Sequence, residues 1–559
     1  MTHSEAQNDQ NETCPAELPN FCAQRHWSIF WILIVCSVSM VAGRVMTLKN
    51  EQSKGDSPFF SANDRSRWCT IRSLGDAGTY EIDDVIRSEQ PIEWDSIDKV
   101  RHIGSDGQLH FYSSKPTLLP TLIAGVYKSV KLVTGRDLAN DTHFVVRVIL
   151  LLVSVLPWAV YLYFLAKFIN SVPVRDWARY YVLACACFGT YLSTFVGTLN
   201  NHLPAAVCVM IALYCLSVIW NKPEAHWSYY AACGIFSAFA AANELPALSF
   251  FALAGLYCAF CSIRKSLLAF APAALLVGIG FFGTNFLAHG QWKPAYAHRG
   301  DGRAVATVQG DFERQLSRNQ FPGELREQAE LHFEFKIPSI EAGAWPSSPN
   351  DEERWVVRDE ISPTQFSIVR TGEIGDGVFE YEIRDWNNWY DYPGSYWLRS
   401  NEKSKSEVDR GQSSASLYAF HVLFGHHGVF SLTPIWLLGF AGMFALLCGA
   451  KIAGRFQMRW LGLLAVSISM VVIAFYLMRP PMDRNYGGVT SALRWLFWLA
   501  PIWLVCMLPI VDWLARAKSG RAICFILLGL SVVSAFYSVA NPWVHPWLYD
   551  IWHLTGLPK

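Results

Sequence analysis

Long apolar runs alternate with short polar turns along most of the chain, and this alternation predicts a bundle of membrane-spanning helices. A run of about 20 apolar residues is long enough to cross a bilayer as an α-helix. The runs lie near residues 28–45, 148–168, 180–195, 203–220, 227–242, 245–261, 267–288, 429–450, 460–478, 495–514 and 522–540. We therefore expect an all-α polytopic membrane protein with about eleven transmembrane helices. The first helix spans 27–46, helices 2–7 lie within 148–288, and helices 8–11 lie within 429–540.

The distribution of basic residues among the short turns predicts the orientation. Alternate turns, near 197–202 and 242–246, contain no lysine or arginine. The other turns contain Arg175, Arg179, Lys222, Arg264, Lys265, Lys451, Arg455, Arg459, Arg516, Lys518 and Arg521. Because basic turns stay on the cytoplasmic side, the tail of residues 1–26 is expected in the cytoplasm and the tail of residues 541–559 outside it. We expect a multi-pass protein of the plasma (inner) membrane.

Two long polar segments, 47–147 and 289–428, fall on the extracytoplasmic side of this topology. Each contains a short apolar stretch, 118–133 and 417–424, which predicts a helix lying on the membrane interface. Residues 301–399 mix charges and prolines with alternating apolar positions such as 365–369 and 378–383. This pattern predicts a small α+β insert within the second segment.

Composition supports the membrane assignment and narrows the function. The chain is 52% hydrophobic and 16% charged, with 23 tryptophans and 35 phenylalanines, which fits a membrane protein with aromatic belts. Its 46 Lys and Arg equal its 46 Asp and Glu, so no basic excess indicates a nucleic-acid partner. No cysteine has metal-site spacing with histidine, and we expect neither a metal nor another cofactor.

The first polar segment carries the residues best suited to chemistry. Asp64 is flanked by Arg65 and Arg67, and further on come Tyr112 and Lys115. A carboxylate among arginines stays ionised and can accept a proton from an attacking hydroxyl. Lysine and arginine can hold a phosphate, both in a substrate and as a leaving group. Both requirements are met in one loop.

The order of these residues resembles the first loop of the GT-C superfamily of membrane glycosyltransferases. The motif runs from Asp64-x-x-Arg67-Trp68 through Gly78-Thr79-Tyr80 to Tyr112-x-x-Lys115-Pro-x-Leu-Leu. It looks most like the branch of lipid A aminoarabinose transferases and protein O-mannosyltransferases. The resemblance implies that Asp64 is the general base, that Lys115 binds the donor phosphate and that Arg67 assists. Residues 63–133 carry the close match.

The chain departs from that branch in two informative places. The branch commonly has Asp-Glu where this chain has Asp64-Arg65, which leaves one carboxylate at the motif and disfavours a metal there. A Lys-Gly-Pro-like turn would fall at Asn243-Glu244-Leu245-Pro246, where the lysine is absent. Glu244, which lies in this turn, is a possible substrate-binding residue.

Other interpretations of the first-loop residues stay open. Asp64 can form an ordinary surface ion pair with its arginines. Asp83 and Asp84 are competing carboxylates, but a helix-cap or loop role is favoured for them. Lys115 precedes Pro116 and can simply begin the interfacial helix.

Two later runs offer weaker candidates. Residues 386–397 gather aromatic side chains, including Trp389 and Tyr390, that suit either a sugar ring or an interfacial belt. Arg484 and Tyr486, with Arg494, lie in the outer turn before the tenth span. These arginines can reach a donor phosphate or merely snorkel to the interface. With Arg65, Tyr112, Asp83, Asp84 and Glu244, the aromatic residues form the wider set of possible substrate contacts.

The resemblance implies an inverting glycosyltransferase that uses a polyprenyl-phosphate-linked sugar on the extracytoplasmic face. Its acceptor is expected to be a hydroxyl of a glycolipid, glycan or protein, and its other partners are membrane lipids. A lipid-linked glycan transporter or flippase is the first alternative, but the predicted spans contain few of the ionisable residues such a protein needs. A catalytically inactive scaffold of the same fold is the second.

Overall fold

The structure is a computed structural model that describes residues 19–51, 56–89, 91–222, 224–344, 353–375, 377–398, 405, 407–449 and 458–556. Most of the predicted cytoplasmic tail, the basic residues Lys451 and Arg455, and the last three residues of the chain lie outside the described residues.

The described part of the chain is mainly helical. The α-helices are α1 (Pro19–Met46), α2 (Ala62–Asp76), α3 (Asp83–Ile86), α4 (Leu118–Thr134), α5 (Thr142–Leu150), α6 (Leu156–Asn170), α7 (Asp176–Phe188), α8 (Tyr191–Thr194), α9 (His202–Asn221), α10 (Trp227–Asn243), α11 (Leu248–Cys261), α12 (Ile263–Lys265), α13 (Ala271–His289), α14 (Glu313–Leu316), α15 (Gly323–Glu330), α16 (Ala415–Leu423), α17 (Val429–Leu432), α18 (Trp436–Leu447), α19 (Met458–Leu477), α20 (Ala500–Cys506), α21 (Leu508–Leu514), α22 (Lys518–Tyr537) and α23 (Trp547–Thr555). Single π-helical turns join α5 to α6 and α12 to α13, so each pair is continuous.

Each of the predicted apolar runs contains a helix, but not every helix reaches bilayer length. By length and composition, the described residues include seven spans: His26–Met46, Thr142–Asn170, Asp176–Gly197, His202–Asn221, Ile263–His289, Arg459–Leu477 and Lys518–Tyr537. The pair Arg494–Cys506 and Leu508–Leu514, bent by 46°, makes an eighth if it is one span. The helices at Leu245–Cys261 and Trp436–Leu447 are shorter, and α10 has 17 residues. The multi-pass helical architecture is confirmed, while the predicted number of about eleven spans is not.

Burial separates the core helices of the bundle from its outer helices. Helix α9 is apolar all round and 78% buried over its span, as expected of a helix surrounded by others. The span Ile263–His289 is only 6% buried, so most of its apolar surface faces away from the bundle. Helices α18 and α20 touch at Gly442, where a Cβ would lie 1.8 Å from the Cys506 carbonyl oxygen.

The first polar segment folds as a helix, a hairpin and a second helix. After α2 come the antiparallel strands β1 (Lys99–Ile103) and β2 (Leu109–Ser113), and then α4, which ends at Gly135 with φ of 70°. Helix α4 buries one face through residues such as Tyr127 and exposes Leu132 on the other. The predicted interfacial helix is thus an amphipathic helix, and its position at the interface stays a prediction.

The second polar segment contains the predicted α+β insert. Its strands are β3 (Ala304–Gly310), β4 (Pro338–Ala342), β5 (Glu353–Asp359), β6 (Gln365–Gly375) and β7 (Val378–Asp385). They form an antiparallel sheet in the order β3-β7-β6-β5-β4. Apolar side chains of α14 and α15 pack on the sheet around Phe366 and Tyr381. The alternating positions near 365 and 378 therefore predicted the two strands with the longest paired register.

One buried arginine links the two ends of this insert. Arg354 of β5 donates two hydrogen bonds, of 2.5 and 2.6 Å, to the Asp301 carboxylate that precedes β3. Its remaining terminal nitrogen lies 2.6 Å from the Asp391 carboxylate that follows β7. Burial alone would lower the pKa of Arg354, but the two carboxylates raise it above its usual value. The segments that precede β3 and follow β7 are therefore held together by a buried side chain of the sheet.

Candidate functional site

Polar side chains from the first segment meet the ends of three helices of the bundle in one group of buried and half-buried residues, which we call the polar cluster. Its members come from α2, the β1–β2 hairpin, the start of α9, the turn after α10 and the segment before α20. They are Arg67, Asp98, Lys115, Asn201, His202, Glu244 and Arg494. Four of them, Arg67, Lys115, Glu244 and Arg494, are sites predicted from the sequence.

Lys115 and Asp98 form a partly exposed ion pair within the cluster. The hairpin pairs Lys99 with Ser113, which places residue 98 opposite residue 114 and next to Lys115. The Lys115 ammonium lies 2.8 Å from the Asp98 carboxylate, and the two side chains remain 16% and 17% exposed. The Lys115 side chain therefore forms an ion pair with a carboxylate, and its contact with a donor phosphate stays a prediction.

The electrostatics of this pair set its protonation states. Burial acts to raise the pKa of Asp98, but the charge and hydrogen bond of Lys115 outweigh it, so the pKa lies below its ordinary value. Burial lowers the pKa of Lys115 to about 8, although Asp98 opposes the shift. At neutral pH the carboxylate is ionised and the ammonium is still protonated.

Arg67 connects α2 to the bundle. Its guanidinium donates to the Asn63 carbonyl oxygen at 2.8 Å and to Asn201 Oδ1 at 2.6 Å. Asn201 in turn donates to Glu244 Oε1 at 2.6 Å. Burial, and next the positive charge of Arg494, lower the pKa of Arg67 to about 10. The arginine still carries its charge at neutral pH, which favours an incoming anion.

Arg494 is fixed by the glycine turn before it. Its Nε and Nη2 atoms donate to the Gly487 carbonyl oxygen at 2.9 and 2.7 Å, and Gly487 has φ of 96°, a conformation that favours glycine. The Nη1 atom lies 2.8 Å from His202 Nε2. The other ring nitrogen of His202, Nδ1, contacts the Glu244 carboxylate. Glu244 and Arg494 thus share one hydrogen-bonded chain.

Asp64 lies beside the cluster in α2 but is engaged by the backbone. Its carboxylate accepts hydrogen bonds from the main-chain N–H groups of Phe60 at 3.1 Å, Ser61 at 3.0 Å and Arg65 at 2.7 Å. With Ser61 it forms the capping box of the helix. Burial raises its pKa, opposed by these backbone bonds. The structure thus gives Asp64 a capping role, and its role as general base stays a prediction.

The neighbouring candidates of the first segment have structural partners. The Arg65 guanidinium lies 2.9 Å from the Glu93 carboxylate, so it belongs to a loop ion pair. Asp83 accepts from the Phe111 main-chain N–H at 2.9 Å and ties α3 to β2, while Asp84 is exposed in the first turn of α3. These contacts agree with the loop role favoured from the sequence.

Four stacked rings join the first and second polar segments, and we call them the aromatic column. Tyr112 stacks on His102 at 4.1 Å, His102 on Trp389 at 4.0 Å, and Trp389 on His298 at 3.6 Å between ring centroids. Burial lowers the pKa of His102 to about 4, so its ring stacks in the neutral form at neutral pH. The faces of Tyr112 and Trp389 are covered, and these residues therefore support the fold instead of presenting an open sugar-binding surface. Tyr390 lies under the Arg299 guanidinium, 4.7 Å from its ring centroid.

The outer turn before the tenth predicted span contributes only one of its candidates to the cluster. Arg484 donates to the carbonyl oxygens of Arg479 at 2.9 Å and Ser413 at 2.8 Å, which fixes the loop itself. Tyr486 is buried and stacks on His427 at 4.4 Å. Neither Arg484 nor Tyr486 contacts the polar cluster through these bonds, whereas Arg494 belongs to the cluster through His202.

The sequence analysis assigned no role to Asp98, Asn201 or His202. Asp98 belongs to no recognisable motif, and its partner Lys115 lies on the other side of the β1–β2 hairpin in the chain. Asn200, Asn201 and His202 form a polar run between two spans, a signal that a search for charged turn residues overlooks. Within the described ranges, no group of three or more His, Cys, Asp or Glu side chains is arranged to hold a metal ion; the metal-free reaction stays a prediction.

Comparisons with known proteins find similarity at the level of solved structures. No family model and no curated protein matches the chain. The protein O-mannosyltransferase Pmt1–Pmt2 complex of S. cerevisiae, bound to the sugar donor, is 11% identical with a TM-score of 0.46, covering 95% of this chain and 92% of that chain.

The oligosaccharyltransferase AglB of Archaeoglobus fulgidus, in complex with an inhibitory peptide and a dolichol-phosphate, is 12% identical with a TM-score of 0.39. The apo form of an oligosaccharyltransferase from the same organism is 11% identical with a TM-score of 0.41. Each alignment covers 97% of this chain, which spans 59% of the length of either archaeal chain. Similarity at this level says nothing about individual residues, whose roles rest on the geometry above.

Proposed function

We propose that this protein is a membrane-embedded glycosyltransferase that moves a sugar from a polyprenyl-phosphate-linked donor to a hydroxyl acceptor. The observation that carries the proposal is the polar cluster at the ends of the membrane helices. Three cations, Arg67, Lys115 and Arg494, meet two carboxylates, Asp98 and Glu244, so these five groups keep one positive charge in excess. An anionic donor would compensate that charge.

The three cations suit the phosphate of such a donor. Ammonium and guanidinium groups form short charge-assisted hydrogen bonds with phosphate oxygens. When the bond between the sugar and the phosphate breaks, the leaving lipid phosphate gains negative charge. Cations held in place therefore stabilise the transition state more than the bound donor, which is the requirement for catalysis.

Asp98 is the carboxylate best placed to accept the proton of the acceptor hydroxyl. It is ionised, partly exposed and paired with Lys115 at 2.8 Å. A donor phosphate that draws Lys115 away from Asp98 also brings negative charge close to it, and both changes raise the pKa of the carboxylate. Asp98 would then become a stronger base when the donor is bound. We therefore assign the proton-accepting role to Asp98 and the helix-capping role to Asp64.

The proposed reaction is a single displacement. The acceptor oxygen attacks the anomeric carbon while its proton passes to Asp98, and the bond from that carbon to the phosphate oxygen breaks. The lipid phosphate leaves between Lys115, Arg67 and Arg494, and the new glycosidic bond has the inverted configuration. The charge pattern of the short turns supports an extracytoplasmic location for this reaction.

The position of the charges argues against a transport path. His202 is the first residue of α9, Glu244 directly follows α10, and Arg494 begins the bent helix pair. Transporters place their ionisable residues near the middle of the membrane, along the route of the substrate. A cluster at the helix ends serves a reaction at the membrane surface instead.

Mass analysis of membrane glycolipids and surface glycans tests the proposal. Cells that lack the protein should lose one sugar modification, and the wild-type chain should restore it. The Lys115→Met variant should not restore it, whereas Lys128→Met, which removes an exposed lysine of α4, should restore it fully. Unchanged glycans in the deletion, or full restoration by Lys115→Met at normal protein level, would contradict the proposal and favour an inactive scaffold.

A further inference from the structure

A second site lies where the first two spans reach the first polar segment. A cavity of about 700 Å³ opens between the end of α1, at Met46, and the start of the span Thr142–Asn170. Arg136 and Arg147 lie among its lining residues, together with the apolar side chain of Leu151. We call this cavity the α1–α5 groove. Its lining includes no residue of the polar cluster.

The polar part of the groove has unused hydrogen-bond donors. Arg147 Nη2 donates to the Leu48 carbonyl oxygen at 3.0 Å, but Arg147 Nε is buried with no hydrogen-bond partner among the described residues. The Arg136 guanidinium is half exposed, and lies 3.7 Å from the Asp141 carboxylate. The half-exposed Arg136 guanidinium and the Arg147 side chain, which both line the groove, offer N–H groups to a ligand with several acceptor oxygens.

An apolar track leads away from these donors along the membrane helix. Met46 is 54% exposed at the end of α1, and Phe144 is 37% exposed beside the groove. Further along the same span, Leu152 is 46% and Leu156 57% exposed. These side chains belong to segments long and apolar enough to lie in the hydrocarbon core, so the track faces lipid chains.

We propose that the α1–α5 groove binds the phosphate group of a membrane phospholipid, with an acyl chain lying along the apolar track. Guanidinium groups bind phosphate oxygens in a planar, paired geometry. A soluble anion would use the two arginines but leave the track without a role. Arginines that merely snorkel to the interface would not enclose a cavity of about 700 Å³. The site is independent of the proposed sugar transfer.

Native mass spectrometry of the full chain in detergent tests this site. Dioleoylphosphatidylglycerol should form one saturable adduct with the wild-type protein, whereas dioleoylglycerol, which lacks the phosphate, should not. The double variant Arg136→Gln/Arg147→Gln should bind the phospholipid about 30-fold more weakly, at about one kcal/mol per basic residue. The matched control Arg264→Gln/Arg516→Gln removes two exposed arginines at other helix ends and should bind like the wild type.

Two further measurements keep the test decisive if loss of the Arg147 contact to Leu48 impairs folding. Val148→Trp fills the groove without changing its charge, and it should also weaken phospholipid binding. Inorganic phosphate alone should not displace the phospholipid at equal concentration. Equal binding of phosphatidylglycerol by all variants, equal binding of dioleoylglycerol, or displacement by inorganic phosphate would each overturn the proposal.

Discussion

Replacing the two candidate carboxylates one at a time separates catalysis from helix capping. Asp98→Asn and Asp64→Asn both remove one negative charge and change the side-chain volume little. Asp98 pairs with Lys115 at 2.8 Å, whereas Asp64 accepts three main-chain N–H groups. The same chemical change therefore has different expected effects at the two positions.

The expected magnitudes follow from these contacts. Loss of a general base lowers the turnover number by about 10²–10⁴-fold, equal to about 3–5 kcal/mol of barrier. Asp98→Asn should show this loss in kcat, while the donor KM should not rise because Lys115 is released from a competing carboxylate. In Asp64→Asn, the amide NH₂ faces a main-chain N–H and leaves buried donors unpaired, which costs about 1–3 kcal/mol of stability.

The assay measures transfer of a labelled sugar from a polyprenyl-phosphate-linked donor that the wild-type protein consumes, in reconstituted vesicles. The thermal transition of each purified variant is measured in parallel. Asp98→Asn should keep a near-normal transition and lose turnover, whereas Asp64→Asn should melt earlier and keep turnover within about tenfold per folded molecule. The opposite pattern, with turnover lost at an unchanged transition in Asp64→Asn alone, would refute the assignment of roles and return the base to Asp64.

Three further outcomes are expected. Because the pKa of Lys115 is about 8, the rate of transfer at subsaturating donor should fall as the pH rises through that value. Lys115→Arg, whose guanidinium stays protonated, should remove this fall. An unchanged pH profile in Lys115→Arg would exclude Lys115 as the origin of the fall. Gly442→Ala puts a Cβ 1.8 Å from the Cys506 carbonyl oxygen, so it should lower the free energy of unfolding by about 1–3 kcal/mol and the protein should melt at a lower temperature. The control Gly529→Ala, whose Cβ would have nothing within 4 Å, should melt like the wild type. Trp389→Ala removes one of the two inner rings of the aromatic column and should lower the free energy of unfolding by about 3–5 kcal/mol. Chemical unfolding measures this loss, and a loss below about 1 kcal/mol would mean that the column does not hold the two segments together.

The helices and the insert could be predicted because their signals are local. An apolar run forms a helix in lipid whatever its neighbours are, so each predicted run contains one. The alternation at 365–369 and 378–383 needs only the period of a strand. The span count was less certain, since the helices at Leu245–Cys261 and Trp436–Leu447 are short and hydropathy does not show how a chain bends.

The site was predicted only in part because it is assembled from distant segments. Asp98, His202 and Arg494 are more than a hundred residues apart from one another in the chain, and no periodicity links them. The capping role of Asp64 did have a local signal, since Ser61 precedes it by three residues as in a capping box. Sequence cannot tell whether an aromatic face is open or covered, which is why Trp389 stayed ambiguous.

Arg354, which bridges the two ends of the insert, limits where the sheet can be joined to another protein. A graft or excision that includes both Asp301 and Asp391 carries the whole three-residue clasp with Arg354. A junction that leaves out either acid would leave buried N–H groups of the Arg354 guanidinium without an acceptor, which costs about 1–3 kcal/mol. Chimeras between related chains should therefore be joined at or before residue 300 and at or after residue 392.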